Sequence, residues 1–147
     1  MVTRGSYCLC VQVRKDSEIR VGSLGVITFP RGHYVYVGSA LNGLIPRLGR
    51  HIRTSRGKGT VTHWHIDYLL REPCVEIVAI YATNWAVRLE CEIVTHIAEK
   101  GEAVPRFGCS DCACLSHLYR VKSFGFIREI GLKKVDLSTL ASSLYPR

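Results

Sequence analysis

The sequence predicts an α+β domain in which a small antiparallel β-sheet is flanked by helices, with an inserted N-terminal hairpin and a C-terminal extension. Three observations predict it. Short β-branched and aromatic runs cluster between Tyr7 and Val37. Longer segments of helical period follow them rather than alternating with them, which disfavours a parallel sheet. Gly- and Pro-containing turns cut the N-terminal runs to strand length. The 147 residues are one domain's worth of chain.

The elements follow in order. Tyr7–Val13 alternates and is rich in Val, Cys and Leu, so it reads as a strand. Arg14–Ser17 turns the chain. Glu18–Gly22 and Val26–Phe29 read as the two arms of the inserted hairpin around a Gly22-Ser23-Leu24-Gly25 corner. His33–Val37 is a further strand, ended by Gly38. Asn42 or Gly43 opens a helix to about Arg56, with Pro46 in its first turn, where a missing N–H matters least. Thr62 caps a short helix over His63–Arg71, stopped by Pro73. Val75–Tyr81 is an apolar strand. Asn84 caps a helix from Trp85 to about Lys100, closed by Gly101. Gly108–Ser116 is a loop and Leu118–Val121 a last strand. Residues 1–123, including the Cys/His loop at 108–117, are expected to form one domain, with residues 124–147 packed on it.

Charge narrows the function. Lys and Arg number 20 against 12 Asp and Glu, a formal net charge of +8. From Ile19 to Ile66 there is no acid, yet that stretch holds Arg20, Arg31, Arg47, Arg50, Arg53, Arg56 and Lys58. A one-signed stretch of this length suits a polyanion, most often nucleic acid, or else a solvated basic surface. No apolar run is long enough to span a membrane, and the first residues lack the apolar stretch of a signal peptide. The seven cysteines are an odd number, which argues against a fully paired disulfide framework. A cytoplasmic protein is the expectation.

Two helices carry residues that plain core packing does not explain. At 100° per residue, Ala86, Val87, Leu89, Ile93, Val94 and Ile97 share one face of the Trp85–Lys100 helix, and Glu90 falls in its middle. A carboxylate there is costly unless it is paired or holds a metal, so a buried ion pair and a catalytic or metal-binding acid both remain open. On the Leu44–Arg56 helix, Leu44, Ile45, Leu48 and Ile52 form the stripe. Arg47 and His51, four apart, line one half-buried edge. Arg50 and Arg53 are expected on the solvent side, as a solvated face or as phosphate contacts.

Two further clusters offer ligands. His63, His65 and Asp67 are awkwardly spaced for one metal, and a capping His63 with Asp67 at the helix dipole is the simpler reading. Cys109, Cys112, Cys114 and His117 offer four soft donors that structural Zn²⁺ would accept, against free or disulfide-linked thiols. Cys8, Cys10, Cys74 and Cys91 read as small core residues. His65-Ile66-Asp67 lacks the glutamate of a zinc deaminase.

The chain resembles the GIY-YIG endonuclease superfamily. Gly5-Ser6-Tyr7 is similar to the first signature element and Tyr36-Val37-Gly38 to the second. Arg47-Leu48 and His51 are similar to the helix that carries the superfamily's catalytic arginine and, one turn on, a histidine. Leu89-Glu90-Cys91 resembles the segment with its metal-binding glutamate. Together with His63-Trp64-His65-Ile66-Asp67-Tyr68 and Ser110-Asp111-Cys112-x-Cys114-x-Ser116-His117, these residues resemble a prokaryotic branch of small stand-alone Uri-type proteins. The resemblance implies a phosphodiester hydrolase acting on nucleic acid, with DNA the expected substrate. Glu90 would hold one Mg²⁺ or Mn²⁺, Arg47 would grip the phosphate, and Tyr7 or Tyr36 with His51 would handle the water's proton. Arg50, Arg53, Arg56 and Lys58 are the expected phosphate contacts, with a slope of log K against log salt of about −4. A non-catalytic nucleic-acid-binding module of the same fold is the alternative.

Overall fold

The structure is a computed structural model that describes residues 4–40, 43–57, 62–83, 90–109 and 114–138. It is α+β, with a large antiparallel sheet and a few flanking helices. Strand β1 (Gly5–Val13) lies between β4 (Gly32–Ala40) and β5 (Val75–Thr83). The remaining strands are β2 (Ser17–Arg20), β3 (Val26–Phe29), β6 (Gly101–Ala103), β7 (Leu118–Val121) and β8 (Lys133–Lys134). The six-stranded sheet runs β6-β7-β4-β1-β5-β8, larger than the small sheet expected, and β2 and β3 form a separate two-stranded hairpin.

Both faces of the sheet are covered, so β1 is apolar at nearly every position rather than alternating with polar residues. Tyr7, Leu9, Val11 and Val13 face one cluster with helices α1 (Leu44–Ser55) and α2 (His65–Leu70). Cys8 and Cys10 face the other, against Ile93, Val94 and Ile97 of α3 (Glu90–Ala98). Burial pushes both thiols up, Cys10 to about 12, so they serve as small core residues, as expected. The hairpin is part of the core. Phe29 is fully buried, edge-on to Tyr34 and Phe107.

Several local expectations need correction. Ile45 is 49% exposed, because the stripe of α1 that meets the sheet runs through Leu44, Leu48 and Ile52 with His51 beside it. Helix α2 starts at His65, with Trp64 as the extended N-cap. Neither Thr62 nor His63 caps it. Asp67 does so from inside, accepting the backbone N–H groups of His63 and Trp64 at 2.8 and 3.0 Å. Gly101 does more than end a helix. It opens β6, and a Cβ there would lie 2.6 Å from the Arg120 carbonyl oxygen. Strands β6 and β8 carry no β-branched run, and pairing with β7 and β5 alone makes them strands. The proposed cap Asn84 and the residues up to Leu89 lie outside the described residues. Beyond residue 123, Ile127 and Leu132 are buried against the α3 face. Among the described residues, no helix is long and apolar enough to cross a membrane.

Candidate active site

Adjacent strands bring the two tyrosines together. Register pairs Tyr7 with Gly38 and Leu9 with Tyr36, so both phenols lie on the α1 side of the sheet. The Tyr7 ring occupies the space a side chain at position 38 would need. A Cβ there would lie 2.5 Å from the Tyr7 hydroxyl, so glycine is required by close approach.

Helix α1 supplies the partners. The Tyr7 hydroxyl lies 2.8 Å from His51 Nε2, and both side chains are buried. Tyr36 stands edge-on to the same imidazole, with ring centroids 6.3 Å apart. Arg47 lies near enough for its positive charge to favour the ionised Tyr7 phenol, and it donates to the Ser39 carbonyl at 3.0 Å. The imidazole accepts the phenol's proton in this contact when its own proton sits on Nδ1, and donates when it sits on Nε2. His51 Nδ1 is buried with no hydrogen-bond partner among the described residues.

Burial dominates the electrostatics. It raises the Tyr7 pKa well above the ordinary value, against the opposing pull of Arg47 and with further upward pushes from Glu90 and Asp67. Burial raises Tyr36 as well, with Tyr7 and Glu90 adding to it. Burial lowers His51 to about 3; Asp67 opposes this, and Arg47 and Arg50 reinforce it. Both phenols and the imidazole are therefore uncharged at pH 7.

Glu90 is the first described residue of α3, and its charge is felt by both phenols. Its Oε1 lies 3.1 Å from His117 Nδ1, which also meets the Val37 carbonyl at 3.1 Å. His117 is thus one partner of the carboxylate that the sequence placed on an apolar helix face. A single half-buried carboxylate suits a hard cation such as Mg²⁺, which keeps several waters and needs few protein oxygens.

The basic residues divide. Arg50 does not project to solvent as expected. Its guanidinium bonds the fully buried Asp67 carboxylate through two N–H groups, at 3.2 and 3.1 Å, and lies 4.2 Å from the Trp64 ring centre. Its sequence position put it on the far side of the helix from the stripe, but α2 packs there. Arg56 is exposed at the end of α1 and Arg53 is half-buried, while Lys58 lies outside the described residues. His65 accepts the Gly108 N–H on Nδ1 at 2.8 Å, which ties Gly108 to α2.

Sequence reasoning missed two contributors. Trp64 carries Arg47 as well as Arg50 over its ring, at 4.4 Å for Arg47, and touches His51. Its place between two histidines before a short helix was the available clue. Cys91, assigned to the core, is exposed. Its Sγ, that of Cys114 and a His117 ring nitrogen lie within 4.8 Å of one another. Of the expected Cys/His set, Cys112 lies outside the described residues, and the Cys109 thiol donates to the Phe107 carbonyl at 3.7 Å.

An antiparallel α+β domain with two phenols, an arginine and a histidine gathered at one helix defines the class of protein. The chain belongs to the family described as domain of unknown function DUF123, which it matches over residues 6–136. No curated protein and no solved structure matches it.

Proposed function

We propose that this protein is a divalent-metal-dependent endonuclease of the GIY-YIG type, acting on DNA. The observation that carries the reading is the Tyr7 phenol bonded to His51 Nε2 at 2.8 Å, with the Arg47 charge acting on it. That arrangement provides a proton path beside a permanent cation, with Glu90 close enough for its charge to be felt.

Arg47, forked and always charged, binds the scissile phosphate and stabilises the charge that grows on it. Trp64 and the Ser39 carbonyl hold the guanidinium in place before substrate arrives. Tyr7 orients the attacking water and passes a proton toward His51 Nε2. Burial and the two arginines keep that nitrogen unprotonated, and an incoming phosphate offsets the arginines' charge and raises its basicity. Glu90 would hold Mg²⁺ or Mn²⁺, which supplies Lewis-acid stabilisation of the phosphate and leaving oxygen. Arg53, Arg56 and Lys58 contact the flanking backbone. Arg50 instead supports Asp67 and Trp64.

The second reading, a non-catalytic nucleic-acid-binding module, draws on the neutrality of the whole phenol–imidazole cluster at pH 7. A cleavage assay separates the two, using supercoiled, nicked, flap and single-stranded DNA with Mg²⁺, Mn²⁺ or EDTA. The expected result is metal-dependent cutting that falls by about 10²-fold or more in Arg47→Ala. Cutting should also be lost in Glu90→Gln, with DNA binding retained in both. Wild-type cleavage by Glu90→Gln overturns the mechanism, and absence of cutting on every substrate favours the binding module.

A further inference from the structure

We propose a second metal site, for Zn²⁺, formed by Cys91, Cys114 and His117 and separate from the oxygen-ligand site at Glu90. The three donors come from different parts of the chain. Cys91 lies in the first turn of α3, and Cys114 and His117 lie three apart just before β7. Their ligand atoms nevertheless lie within 4.8 Å of one another. Zinc holds sulfur at about 2.3 Å and nitrogen at about 2.0 Å, so its ligand atoms stand roughly 3.5–4 Å apart. Small side-chain rotations close the difference.

The imidazole is prepared for this role. His117 is buried, and its Nδ1 meets the Val37 carbonyl and Glu90 Oε1, each at 3.1 Å. Both are acceptors, so the proton resides on Nδ1 and Nε2 carries the lone pair. A histidine oriented by a carbonyl or carboxylate on its far nitrogen is the usual arrangement around zinc. Packing fixes the ring as well. Gly108 has φ +75°, and a Cβ there would lie 3.1 Å from the His117 Cβ.

The donor chemistry selects the ion. Two thiolates and an imidazole suit Zn²⁺ and reject Mg²⁺ and Ca²⁺, which take oxygen. Among the described residues three donors converge, and the exposure of Cys91 leaves the fourth tetrahedral position open to water or to a further ligand. Bound there, the ion ties the start of α3 to the segment leading into β7. The residue before Cys91 is Glu90, which already contacts His117, so the ion also fixes the orientation of that carboxylate.

The test uses the full chain, tag-free, purified under reducing conditions without chelator. Its zinc content is measured by elemental mass spectrometry, and Co²⁺ is then titrated into the metal-depleted chain. The expected result is close to one zinc per chain, together with a thiolate-to-cobalt charge-transfer band. Cys91→Ser, on an exposed helix position, should stay folded by circular dichroism while losing most of the zinc and weakening the cobalt band. Cys114→Ser should behave alike, and Cys74→Ser should keep full stoichiometry. A wild-type chain that neither retains nor takes up zinc overturns the site. So does undiminished zinc in Cys91→Ser, or a Cys91–Cys114 disulfide as the resting state of the protein in reducing buffer. These readouts involve no DNA, so the result stands apart from the outcome of the cleavage assay.

Discussion

His51 is the residue whose environment has the most measurable consequence. Its folded pKa lies at about 3 against 6.5 for an ordinary histidine. The native state therefore resists protonation, while the unfolded chain accepts a proton below pH 6.5. With more protons bound on the unfolded side, stability rises with pH between about 3 and 6.5 and is flat above. From pH 7 to pH 5 the loss from this group is about 2 kcal/mol. Urea unfolding of the wild type across that interval should show the slope, and His51→Gln should flatten it. The same shift means that an acid limb in the cleavage profile near pH 6.5 does not come from free His51. The orphaned Nδ1 costs a further 1–3 kcal/mol, roughly.

At the scale of elements, two contacts connect packing to chemistry. Register sets Gly38 of β4 against Tyr7 of β1, and a Cβ at position 38 would lie 2.5 Å from the phenol oxygen. The ring is fully buried and has no room to retreat. Gly38→Ala should cost about 1–3 kcal/mol by overpacking and, by moving the phenol off His51, reduce cutting about 10²-fold. A wild-type melting temperature and rate for that variant would refute the close-packing account. The second contact is between α1 and α2. Arg50→Ala strands the buried Asp67, though its two backbone N–H bonds remain. The expected loss is about 2 kcal/mol, below the 3–5 of a fully buried pair left broken. Thermal melts of Arg50→Ala beside Arg53→Ala test this, since Arg53→Ala should melt like wild type.

For the whole molecule, the acid-free stretch from Ile19 to Ile66 sets the expected affinity for polyanions. Its charges are not equivalent once folded. Each phosphate contact contributes about 0.9 to the slope of log K against log salt on duplex DNA. Arg53→Ala and Arg56→Ala should each flatten the slope by about one. Arg50→Ala should leave it unchanged where the variant remains folded, because its guanidinium is engaged by Asp67. Filter binding or fluorescence anisotropy between 50 and 200 mM salt, roughly the range over which such contacts are lost, reads this directly. Equal effects from all three arginines would return Arg50 to the binding surface.

Much of the fold was legible in the residues. The hairpin arms, β1, β4, β5 and β7 were readable from β-branched runs and turn residues, because those signals are local. The doubtful parts were short. β6 and β8 exist through pairing with distant strands, and α2 takes its start from Asp67 rather than Thr62. The candidate site was legible as a set of residue types. Helical spacing singled out Glu90 and placed Arg47 beside His51, because a costly side chain on an apolar face stands out without a structure. What the chain order leaves undetermined is which polar group meets which. Tertiary packing put α2 against the outward side of α1 and so turned Arg50 from a surface charge into a buried acid's partner. It also carried Cys91 from an apparent core position to the side of Cys114 and His117. Such pairings depend on how separated segments approach in space, and no local periodicity encodes that approach.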